Sequence, residues 1–520
     1  MAWFSPKPLL IPDILTLNQQ FLRNKPAVII DDEVISWGAF GAGTLQFGNA
    51  LLGRGLAKGD RVVVLMKNSY EMAEAMFGVI RAGLVAVPLN VSITDEAVAA
   101  MVRNAGARAI VASGEHVARV DALRGELEGQ LGERFIAPDA AVTGWLDYAE
   151  IRDSAPADLP DIQIGPADEC NIIYSSGTTG LPKGIVHDHA CREAWGSDMA
   201  VALRYHAGAR TLCNLGLFSN ITWVAMLATF FAGGALVISR RFEVNDCLET
   251  IEKHGVTHAA MVPLQFQKLL ECPEFDRYDL SSLDAVMCCG SPLAAGLKRE
   301  LAERWPGDFI ELYGLTEGLV TILSPEDLLT KTDSVGQPCP GQHLAILGNN
   351  DEILPVGEPG EIVGHCRFMM AGYHNNDAAS EEATWVGPGG ERWLRTGDIG
   401  KLDEDGFLYL VDRKKDMIIS GGQNIYPADI EAVMIRHEAV SEIAVVGIPH
   451  DKWGETPLAV VVRAAGAAID EAALAGWSNE RLGKQQRIAA VVFVDELPRN
   501  PNGKILKREL RKPYADVLGA

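Results

Sequence analysis

A short loop rich in hydroxyl groups and glycine is the first segment of the sequence that could do chemistry. It reads "YSSGTTGLPKG" from Tyr174 to Gly184. Backbone N–H groups at Gly177 and Gly180 can approach a phosphate closely because no Cβ intervenes. Lys183 would add positive charge, and further hydroxyl donors are Ser175, Ser176, Thr178 and Thr179. The spacing differs from the Walker A and G-x-G-x-x-G patterns, so the loop by itself also fits a solvated surface hairpin.

Two later segments place carboxylates beside small residues. "ELYGLTEG" sets a hydroxyl next to a carboxylate at Thr316 and Glu317. "LRTGDIG" predicts Asp398 in a tight turn. Alone, each segment also fits a capped turn or a solvated acid.

Two segments near the end of the chain add cations and another glycine pair. "VDRKKDMIISGGQNIYP" supplies Arg413 and Gly421-Gly422, and "ELPRNPNGKILKREL" presents Lys504 on a Pro/Asn/Gly turn. Without a function, Lys504 would be an ordinary surface lysine and the glycine pair would form a β-bulge. The combination of all five segments, in this order, indicates a site rather than five unrelated turns.

The elements that must position these residues alternate between strands and helices. "RVVVLMKN", "LVAVPLN" and "ARAIVAS" read as buried strands, while "SYEMAEAMFGVIRAG" and "DEAVAAMVRNAG" have helical spacing. "GVTHAAMVP" and "SLDAVMCCG" repeat the strand pattern. The phosphate-type loop follows the strand "CNIIY" and precedes the strand-to-helix passage "GIVHDHACREAW", so it lies at a strand end, where α/β folds bind ligands. The predicted fold class is therefore α/β, with mainly parallel subdomains in a large N-terminal domain.

The composition and the hydrophobic pattern of the sequence change after about Asp377. Short alternating segments rich in Gly and Asp predict a β-rich part, which leads to the charged run "DRKKD". Beyond it, "ADIEAVMIRHEAV", "SEIAVVGIP", "LAVVVRA" and "AAVVFVDEL" predict a small α+β domain. We place the boundary between an N-terminal domain, 1–412, and a mobile C-terminal domain, 413–520.

Composition and charge exclude several classes of protein. Hydrophobic residues make up 48% and charged residues 22%, which is the balance of a globular enzyme rather than a disordered or fibrous chain. The formal charge of -23 opposes binding to nucleic acid and anionic membranes. The nine cysteines form no C-x-x-C pair, and no signal peptide is evident, so we expect reduced thiols and a cytoplasmic location. The uncharged stretch 211–239 predicts a strand, a polar turn, a buried helix ending at glycines and a second strand, not a transmembrane segment.

Together, these motifs resemble the adenylate-forming superfamily of acyl-CoA synthetases, firefly-type luciferases and peptide-synthetase adenylation domains. The likeness is closest to acyl-CoA ligases, through "YSSGTTGLPKG", "YGLTE", "GEIVGHCRFMMAGY", "RTGD", "DRKKDMIISGGQNIYP" and "PRNPNGKILKREL". It extends from the loop at 174 to the lysine at 504 and is weaker before the loop. The resemblance implies ATP, Mg²⁺ and CoA as cofactor and co-substrates, and an acyl-adenylate as the intermediate.

The resemblance also implies a role for each motif residue. Glu317 would be the Mg²⁺ ligand, Thr316 the α-phosphate contact, and Lys504 the adenylation lysine. Tyr313 would stack on adenine, with the "GSP" segment Gly290–Pro292 on the other side, while Asp398 and Arg413 would contact the ribose. The full ATP- and AMP-binding set is Ser175, Ser176, Gly177, Thr178, Thr179, Gly180, Lys183, Gly290, Ser291, Pro292, Glu311, Leu312, Tyr313, Gly314, Asp398 and Arg413.

The second half reaction of such enzymes transfers the acyl group to a thiol. In the family the small domain rotates between the two steps, and Lys415 falls at the expected hinge position. Ser420, Gly421 and Gly422 would then approach the pantetheine arm of CoA, since glycine allows close backbone contact.

The acyl pocket is expected from Phe218, Ser219, Trp223, Cys289 and Leu315. Ser219 stands where the family often has histidine, which would remove one wall or gate of the pocket. Trp223 matches a gating tryptophan of some long-chain relatives, although it also fits a plain core aromatic. Apart from Glu317, the pocket segments "LFSNITW", "CCGSP" and "EGLVTIL" carry no charge, so an unpaired second charge on the substrate would cost several kcal/mol.

We therefore predict an AMP-forming acyl-CoA synthetase for an apolar monocarboxylic acid, whether fatty, aryl or alicyclic. The alternative is an enzyme that delivers the acyl group to a carrier protein, although the sequence contains no carrier domain. A silent nucleotide-binding protein is disfavoured because Glu317, Asp398 and Lys504 are all intact. The expected partners are the acid, ATP and CoA, with no nucleic acid, and the choice between monomer and homodimer stays open.

Overall fold

In the computed structural model of the protein, the described residues are 8–138, 142–175, 182–420, 423–450, 453–484, 486–499 and 505–514. They fall into two compact units. The first consists of Met1–Thr332, Pro338–His343 and His365–Leu394, and the second of Asp333–Gln337, Leu344–Gly364 and Arg395–Ala520. The predicted domain boundary at 412/413 is a different division of the chain and stays a prediction.

The helices of the described residues, in chain order, are α1 (Ile11–Phe21), α2 (Trp37–Leu52), α3 (Tyr70–Arg81), α4 (Asp95–Ala105), α5 (Gly114–Ala122), α6 (Arg124–Leu131), α7 (Tyr148–Asp153), α8 (His189–Ala202), α9 (Asn220–Ala232), α10 (Val244–His254), α11 (Pro263–Leu270), α12 (Ala295–Arg304), α13 (Asp377–Glu382), α14 (Pro427–Met434), α15 (Glu471–Asn479) and α16 (Lys507–Arg511). Short 3-10 helices lie at Phe275–Arg277 and Lys512–Tyr514.

The strands are β1 (Pro26–Ile30), β2 (Glu33–Ser36), β3 (Arg61–Leu65), β4 (Val85–Pro88), β5 (Ala109–Ala112), β6 (Phe135–Ala137), β7 (Leu146–Asp147), β8 (Glu169–Ser175), β9 (Lys183–Asp188), β10 (Arg210–Cys213), β11 (Ala235–Ile238), β12 (His258–Met261), β13 (Ala285–Cys288), β14 (Asp308–Leu315), β15 (Gly318–Leu323), β16 (Gln337–Pro338), β17 (His343–Leu347), β18 (Gly360–His365), β19 (Gly372–Tyr373), β20 (Thr384–Val386), β21 (Arg392–Leu402), β22 (Leu408–Arg413), β23 (Ile418–Ser420), β24 (Gln423–Ile425), β25 (Val440–His450), β26 (Gly454–Arg463) and β27 (Ala490–Val494).

Two large sheets form the framework of the first unit. One has the strand order β16-β15-β14-β13-β12-β10-β11-β1-β2, and the other has the order β19-β9-β8-β4-β3-β5-β6-β7. Pairing is parallel through β12, β13 and β14 and through β4, β3 and β5, which confirms the predicted mainly parallel α/β architecture. Antiparallel pairs of these sheets are β1–β2, β9–β19 and the hairpins β14–β15 and β8–β9, and the last two hairpins carry predicted site residues.

Local sequence explains why the predicted elements form where they do. Ser69 caps α3 by accepting a hydrogen bond from the Met72 N–H, and the helix is buried along nearly its whole length. Asp188 caps α8 in the same way, by accepting from the Cys191 N–H. Gly106 ends α4 in the left-handed conformation, with a φ of 63° that glycine adopts without strain.

The uncharged stretch 211–239 folds as predicted. It contains β10, then α9 buried in the core, and then β11, with Gly233 ending α9 at a φ of 78°. α9 packs with α8, and its Phe230 contacts Phe77 of α3 at a ring-centroid distance of 4.9 Å. Among the described residues, no helix has the length and hydrophobicity needed to cross a bilayer.

The second unit contains a separate small sheet on which α14, α15 and α16 pack. Its strands have the order β24-β23-β26-β25, and β27 pairs parallel with β26. Two buried apolar clusters, one on each face of this sheet, form its core. The β-rich part predicted after about residue 377 contains β20, β21 and β22, which belong to a sheet of order β17-β18-β21-β20 whose strands β17 and β18 lie before residue 377.

Candidate active site

The two ends of the predicted phosphate loop are held in an antiparallel hairpin. β8 ends at Ser175 and β9 begins at Lys183, and these two residues are directly paired. Residues 176–181, which include the predicted contacts Ser176, Gly177, Thr178, Thr179 and Gly180, lie outside the described residues. The Lys183 ammonium lies 4.6 Å from the centroid of the Tyr373 ring, at the described end of the loop.

The Thr316–Glu317 pair lies in the turn between β14 and β15. The Tyr373 hydroxyl donates a hydrogen bond of 3.0 Å to Glu317 Oε1, and the Met370 N–H donates to the Glu317 carbonyl. Burial, together with the negative Glu317, raises the pKa of Tyr373, so the phenol stays protonated as a donor. Tyr373 also pairs with β9 next to the loop, so it joins Lys183 to Glu317.

A buried histidine supports the other residue of this turn. His187 Nε2 donates to the Thr316 carbonyl at 2.8 Å, and His187 Nδ1 accepts from Arg192 at 3.1 Å. Burial lowers the pKa of His187 well below its usual value, with the neighbouring Arg192 charge adding to the shift. His187 is therefore neutral, and a single tautomer satisfies both contacts.

Sequence reasoning missed three residues of this cluster, namely Tyr373, His187 and Arg192. Tyr373 ends the motif "GEIVGHCRFMMAGY", and His187 and Arg192 lie in "GIVHDHACREAW". A tyrosine and a histidine inside otherwise apolar strands were the available signals. The available signal for Arg192 was its helical spacing, because it lies three and seven positions before Trp195 and Met199 on the buried face of α8.

The predicted adenine segments lie at the ends of β13 and β14. Gly290 follows β13 with a φ of 98°, and Tyr313 lies half-buried on β14. The Glu311 side chain is buried and its Oε2 lies 2.5 Å from Lys298 Nζ of α12. Burial raises the pKa of Glu311 to about 7, although Lys298 opposes the shift. This side chain is therefore part of the interior, and a nucleotide contact from Glu311 would have to come from its backbone.

The predicted acyl-pocket residues come from three segments of the first unit. Ser219 precedes α9 and is buried, Trp223 is completely buried within α9, and Phe218 is half-buried against the same core. Cys289 follows β13, where burial raises the pKa of its thiol to about 12, and Leu315 ends β14. A Cβ added to Gly290 would lie 3.0 Å from Ile221 of α9, so the segment after β13 and the start of α9 are in close contact.

Asp398 and Arg413 lie in the second unit and form an ion pair. Arg413 Nε lies 2.8 Å from Asp398 Oδ1, and the two residues are directly opposite in the pairing of β21 with β22. The predicted tight turn at Asp398 is wrong, because the residue lies inside the eleven-residue strand β21. Gly397, with a φ of 69°, distorts the strand locally without reversing the chain.

The remaining predicted residues lie around β23. Lys415 follows β22 with an exposed side chain, and partial desolvation followed by the Arg413 charge lowers its pKa. Ser420 ends β23 and pairs with Gln423. Gly421, Gly422 and Lys504 lie outside the described residues, so their predicted roles stay predictions.

A second cluster of metal-ligand side chains lies at the opposite, amino-terminal ends of β12 and β13. It consists of His206, His258 and Asp284, whose ligand atoms lie within 4.8 Å of one another. His206 Nδ1 accepts from the Gly208 N–H while Nε2 contacts Asp284 at 2.9 Å. This bond places the His206 proton on Nε2, which opposes metal binding there, so we interpret the cluster as a hydrogen-bonded one.

The fold and the clustered motifs define the class as adenylate-forming enzymes. Residues 17–374 match the family of AMP-binding enzymes, and residues 429–504 match the AMP-binding enzyme C-terminal domain. The chain belongs to this family, and it is an AMP-forming acid–thiol ligase.

Three curated relatives illustrate the range of the similarity. The long-chain-fatty-acid–CoA ligase FadD13 of Mycobacterium tuberculosis is 34% identical over 475 residues, covering 90% of this chain and 91% of the relative. A feruloyl-CoA synthase of Amycolatopsis sp is also 34% identical, over 473 residues, covering 90% of this chain and 92% of the relative. A fatty acid–[acyl-carrier-protein] ligase, ScoC of Streptomyces coeruleorubidus, is 32% identical over 524 residues and 97% of both chains.

A solved structure shares the fold over nearly the whole chain. It is the o-succinylbenzoate CoA synthetase MenE of Bacillus subtilis in complex with an acyl-adenylate intermediate. The TM-score is 0.83 at 28% identity, and the match covers 98% of each chain.

Proposed function

We propose that this ligase activates an apolar monocarboxylic acid with ATP and transfers the acyl group to CoA. The observation that carries the proposal is the cluster of Lys183, Tyr373 and Glu317 beside Thr316. It combines a cation for phosphate with an oxygen ligand for a hard metal ion, at the ends of the two hairpins that carry the family motifs.

The chemistry explains why such a cluster is needed. A carboxylate is a poor electrophile, so one of its oxygens first attacks the α-phosphorus of ATP, and the bond to pyrophosphate breaks. The product is an acyl-adenylate, whose AMP is a good leaving group. The CoA sulfur then attacks the acyl carbon and releases AMP. The protein's contribution to the first step is positioning together with stabilisation of the charge on departing pyrophosphate.

We assign the phosphate contacts to the first unit. Lys183 and the loop from Ser175 onward would neutralise the β- and γ-phosphates, and Thr316 would contact the α-phosphate. Glu317 would hold Mg²⁺, which supplies positive charge to the phosphates when bound. The site fits this ion because Glu317 offers hard carboxylate oxygens, one of which the Tyr373 hydroxyl already orients.

We assign the nucleoside contacts to two groups of residues. Tyr313 and the segment Gly290–Pro292 would hold adenine, and Asp398 with Arg413 would hold the ribose. The ion pair between Asp398 and Arg413 supports this assignment, since it orients the buried Asp398 carboxylate, whose oxygens can accept hydrogen bonds from hydroxyl groups.

The residues of the second half reaction complete the assignment. Lys504 would assist adenylation only, Ser420 with Gly421 and Gly422 would approach the pantetheine arm, and Lys415 would serve as the hinge. These roles follow from the family resemblance of the motifs. The proposal also includes a cytoplasmic location, in keeping with nine unpaired cysteines, and leaves a homodimer open.

The class of acid follows from the charge of the proposed pocket. Its residues are Phe218, Ser219, Trp223, Cys289 and Leu315. None of them carries a charge, because burial raises the pKa of the Cys289 thiol and keeps it protonated. A second charge on the substrate would have no partner among them. The equal similarity to a fatty-acyl and an aryl-acyl CoA ligase supports an apolar tail without choosing between the two types.

A second candidate acceptor is a carrier protein rather than CoA. The similarity to a ligase named for an acyl-carrier protein, which extends over 97% of this chain, favours keeping this candidate. The two acceptors share the adenylation step and differ only in the thiol that attacks.

The test is acid-dependent exchange of labelled pyrophosphate into ATP by the purified full chain with Mg²⁺. We expect exchange with apolar aliphatic, aryl or alicyclic monocarboxylates and much less with dicarboxylates. Glu317→Gln should lower exchange by about a hundredfold because a neutral amide binds Mg²⁺ less well than a carboxylate, so the phosphates lose the positive charge of the metal. The exposed Glu300→Gln on α12 is the matched control and should leave exchange unchanged.

Product analysis then separates the two acceptors. Acyl-CoA formed from acid, ATP and CoA would support the synthetase, while acylation of a pantetheinylated carrier protein with no acyl-CoA would support the second candidate. No exchange with any acid of the panel would contradict both.

A further inference from the structure

One buried arginine joins the elements that carry the proposed phosphate contacts to the helix that begins at the proposed acyl pocket. Arg192, on α8, is 0% exposed. Its Nε donates to Asn171 Oδ1 at 2.7 Å and its Nη1 donates to Asn220 Oδ1 at 2.9 Å. The third contact is from Nη2 to His187 Nδ1, and His187 in turn donates to the Thr316 carbonyl.

Each partner of Arg192 belongs to a different element. Asn171 lies on β8 and His187 on β9, the two strands that flank the loop 176–181. Asn220 is the first residue of α9, directly after Ser219. The guanidinium also lies 4.9 Å from the Trp223 ring, one turn further along α9. A single planar group therefore sets the spacing of three elements, because its donors point in fixed directions.

The electrostatic environment argues against a purely stabilising role. Among the described residues, no carboxylate lies within ion-pair distance of Arg192, and all three acceptors are neutral. Burial lowers the pKa of Arg192 to about 10, yet the group remains charged at neutral pH. The charge also faces the amino-terminal end of α9, where the helix dipole disfavours a cation. An apolar side chain would fill this interior at lower electrostatic cost.

We propose that Arg192 is a positioning residue that holds the first turn of α9 in register with the Thr316–Glu317 turn. In this arrangement the acid lying against Ser219 and Trp223 meets an α-phosphate held at Thr316. The inference rests on the proposed function, since it assigns Arg192 to the alignment of the acid with ATP. Arg192 touches neither substrate, and its effect passes through Asn220 and His187.

The protein offers a matched control in Arg81 on α3. Arg81 is 2% exposed, and its guanidinium also has neutral partners, with Nη1 donating to the Gly41 carbonyl at 2.8 Å and to Thr44 Oγ1 at 3.0 Å. Burial lowers its pKa to about 10 as well. It differs from Arg192 in having no described contact with the elements of the proposed site.

The experiment compares Arg192→Met, Arg192→Lys and Arg81→Met in the full chain. Thermal unfolding is measured alongside kcat and KM for the acid and for ATP in pyrophosphate exchange, with one short and one bulky acid. We expect both methionine variants to lose similar stability. Arg192→Met alone should lower kcat/KM for the acid by about ten- to a hundredfold and change the ratio between the two acids. The KM for ATP should stay within about threefold of the wild-type value.

The lysine variant separates geometry from charge. Its ammonium keeps the charge but cannot reach three acceptors in a plane, so Arg192→Lys should remain impaired. Asn220→Ala, which removes a single acceptor, serves if the arginine variants do not fold, and it should shift the ratio between acids in the same direction. Asn220→Asp keeps an acceptor of the same shape and should restore the wild-type ratio.

Several outcomes would overturn the inference. They are acid kinetics of Arg192→Met equal to those of Arg81→Met, full rescue by lysine, or a folded Asn220→Ala with an unchanged ratio between acids. Absence of exchange in the wild-type protein would overturn the proposed function and this inference together. Wild-type exchange with unaffected Arg192 variants would overturn the inference alone.

Discussion

At the scale of single residues, the candidate site contains neutral hydrogen-bond donors that are buried beside charged side chains. Tyr373 keeps its proton because it is buried beside Glu317, and His187 stays neutral because it is buried beside Arg192. Each then donates one hydrogen bond to the Thr316–Glu317 turn. The turn is therefore fixed by donors that do not titrate near neutral pH, which suits a site that must hold polyanionic phosphates.

The residue scale also carries a prediction about the acid. Ser219 is buried at the start of α9 and its side chain makes no capping hydrogen bond, so replacing the hydroxyl removes no cap. Ser219→Phe should therefore act by filling space, lowering kcat/KM for bulky acids by about tenfold or more and for short acids by about threefold or less. Pyrophosphate exchange over a series of chain lengths measures the effect, and Ser219→Ala is the control. Equal losses for all acids would mean that Ser219 does not line the pocket.

At the scale of elements, the two edge hairpins β8–β9 and β14–β15 present the candidate site residues. The mainly parallel strands next to them in the two sheets form the framework that supports them. β14 is anchored to α12 by the buried pair of Glu311 and Lys298, so this pair helps to set the position of the hairpin that follows.

We expect the Lys298–Glu311 pair to show strong, pH-dependent coupling. Lys298→Met leaves the Glu311 carboxyl buried without its partner, which should lower the free energy of unfolding by about 3–5 kcal/mol at pH 8. The cost should be smaller at pH 6, because burial raises the Glu311 pKa to about 7 even in the presence of Lys298, and the variant should protonate more readily still. Denaturant unfolding at both pH values measures the difference.

A double variant provides the control for that prediction. Lys298→Met combined with Glu311→Leu removes both charges and should recover more than half of the loss. Additive costs in the double variant, or a Lys298→Met cost that is the same at both pH values, would contradict a coupled buried pair.

At the scale of the whole molecule, the described residues form two units with separate cores, and the acid-sensitive groups are concentrated in the first. Burial lowers the pKa of His189 and of His258 to about 4, and that of His187 well below its usual value. Each of these histidines binds a proton more readily in the unfolded chain. Their contribution to stability is therefore present above about pH 6.5 and is lost as the pH falls towards the folded pKa. Glu311 has the opposite effect because its pKa is raised in the folded protein. Its contribution to stability is present below about pH 4.5 and is lost as the pH rises towards 7.

His189 allows this pH dependence to be measured for one group. Among the described residues, neither ring nitrogen of His189 has a hydrogen-bond partner, so His189→Leu removes no such bond. Between pH 6.5 and 4, the free energy of unfolding of the variant should fall less steeply than that of the wild type, by about 1.4 kcal/mol per pH unit. Denaturant unfolding of the wild type and the variant at several pH values measures both slopes. The exposed His343→Gln is the control, and identical slopes in His189→Leu and wild type would contradict the prediction.

Local patterns in the sequence are sufficient to predict the fold class and most of the helices and strands. Strand and helix periodicity predicted β3, α3 and β4 in the parallel sheet and α9 between β10 and β11, because burial in α/β sheets leaves a local pattern that a short window can detect. The ordered motifs predicted the family for the same reason, since they are short and contiguous. The tight turn predicted at Asp398 failed because Gly-Asp inside a strand looks like a turn when its pairing with β22 is unknown.

The distant side chains that form hydrogen bonds with the motif residues can be identified from the tertiary structure alone. Tyr373 reaches Glu317 from 56 positions away, and His187 reaches the Thr316 carbonyl from 129 positions away. Helical spacing places Arg192 on the same face of α8 as Trp195 and Met199, but its three polar partners come from other parts of the chain. The direction of a long side chain and the protonation of a buried ring depend on neighbours supplied by other elements, and no local pattern in the sequence encodes those neighbours.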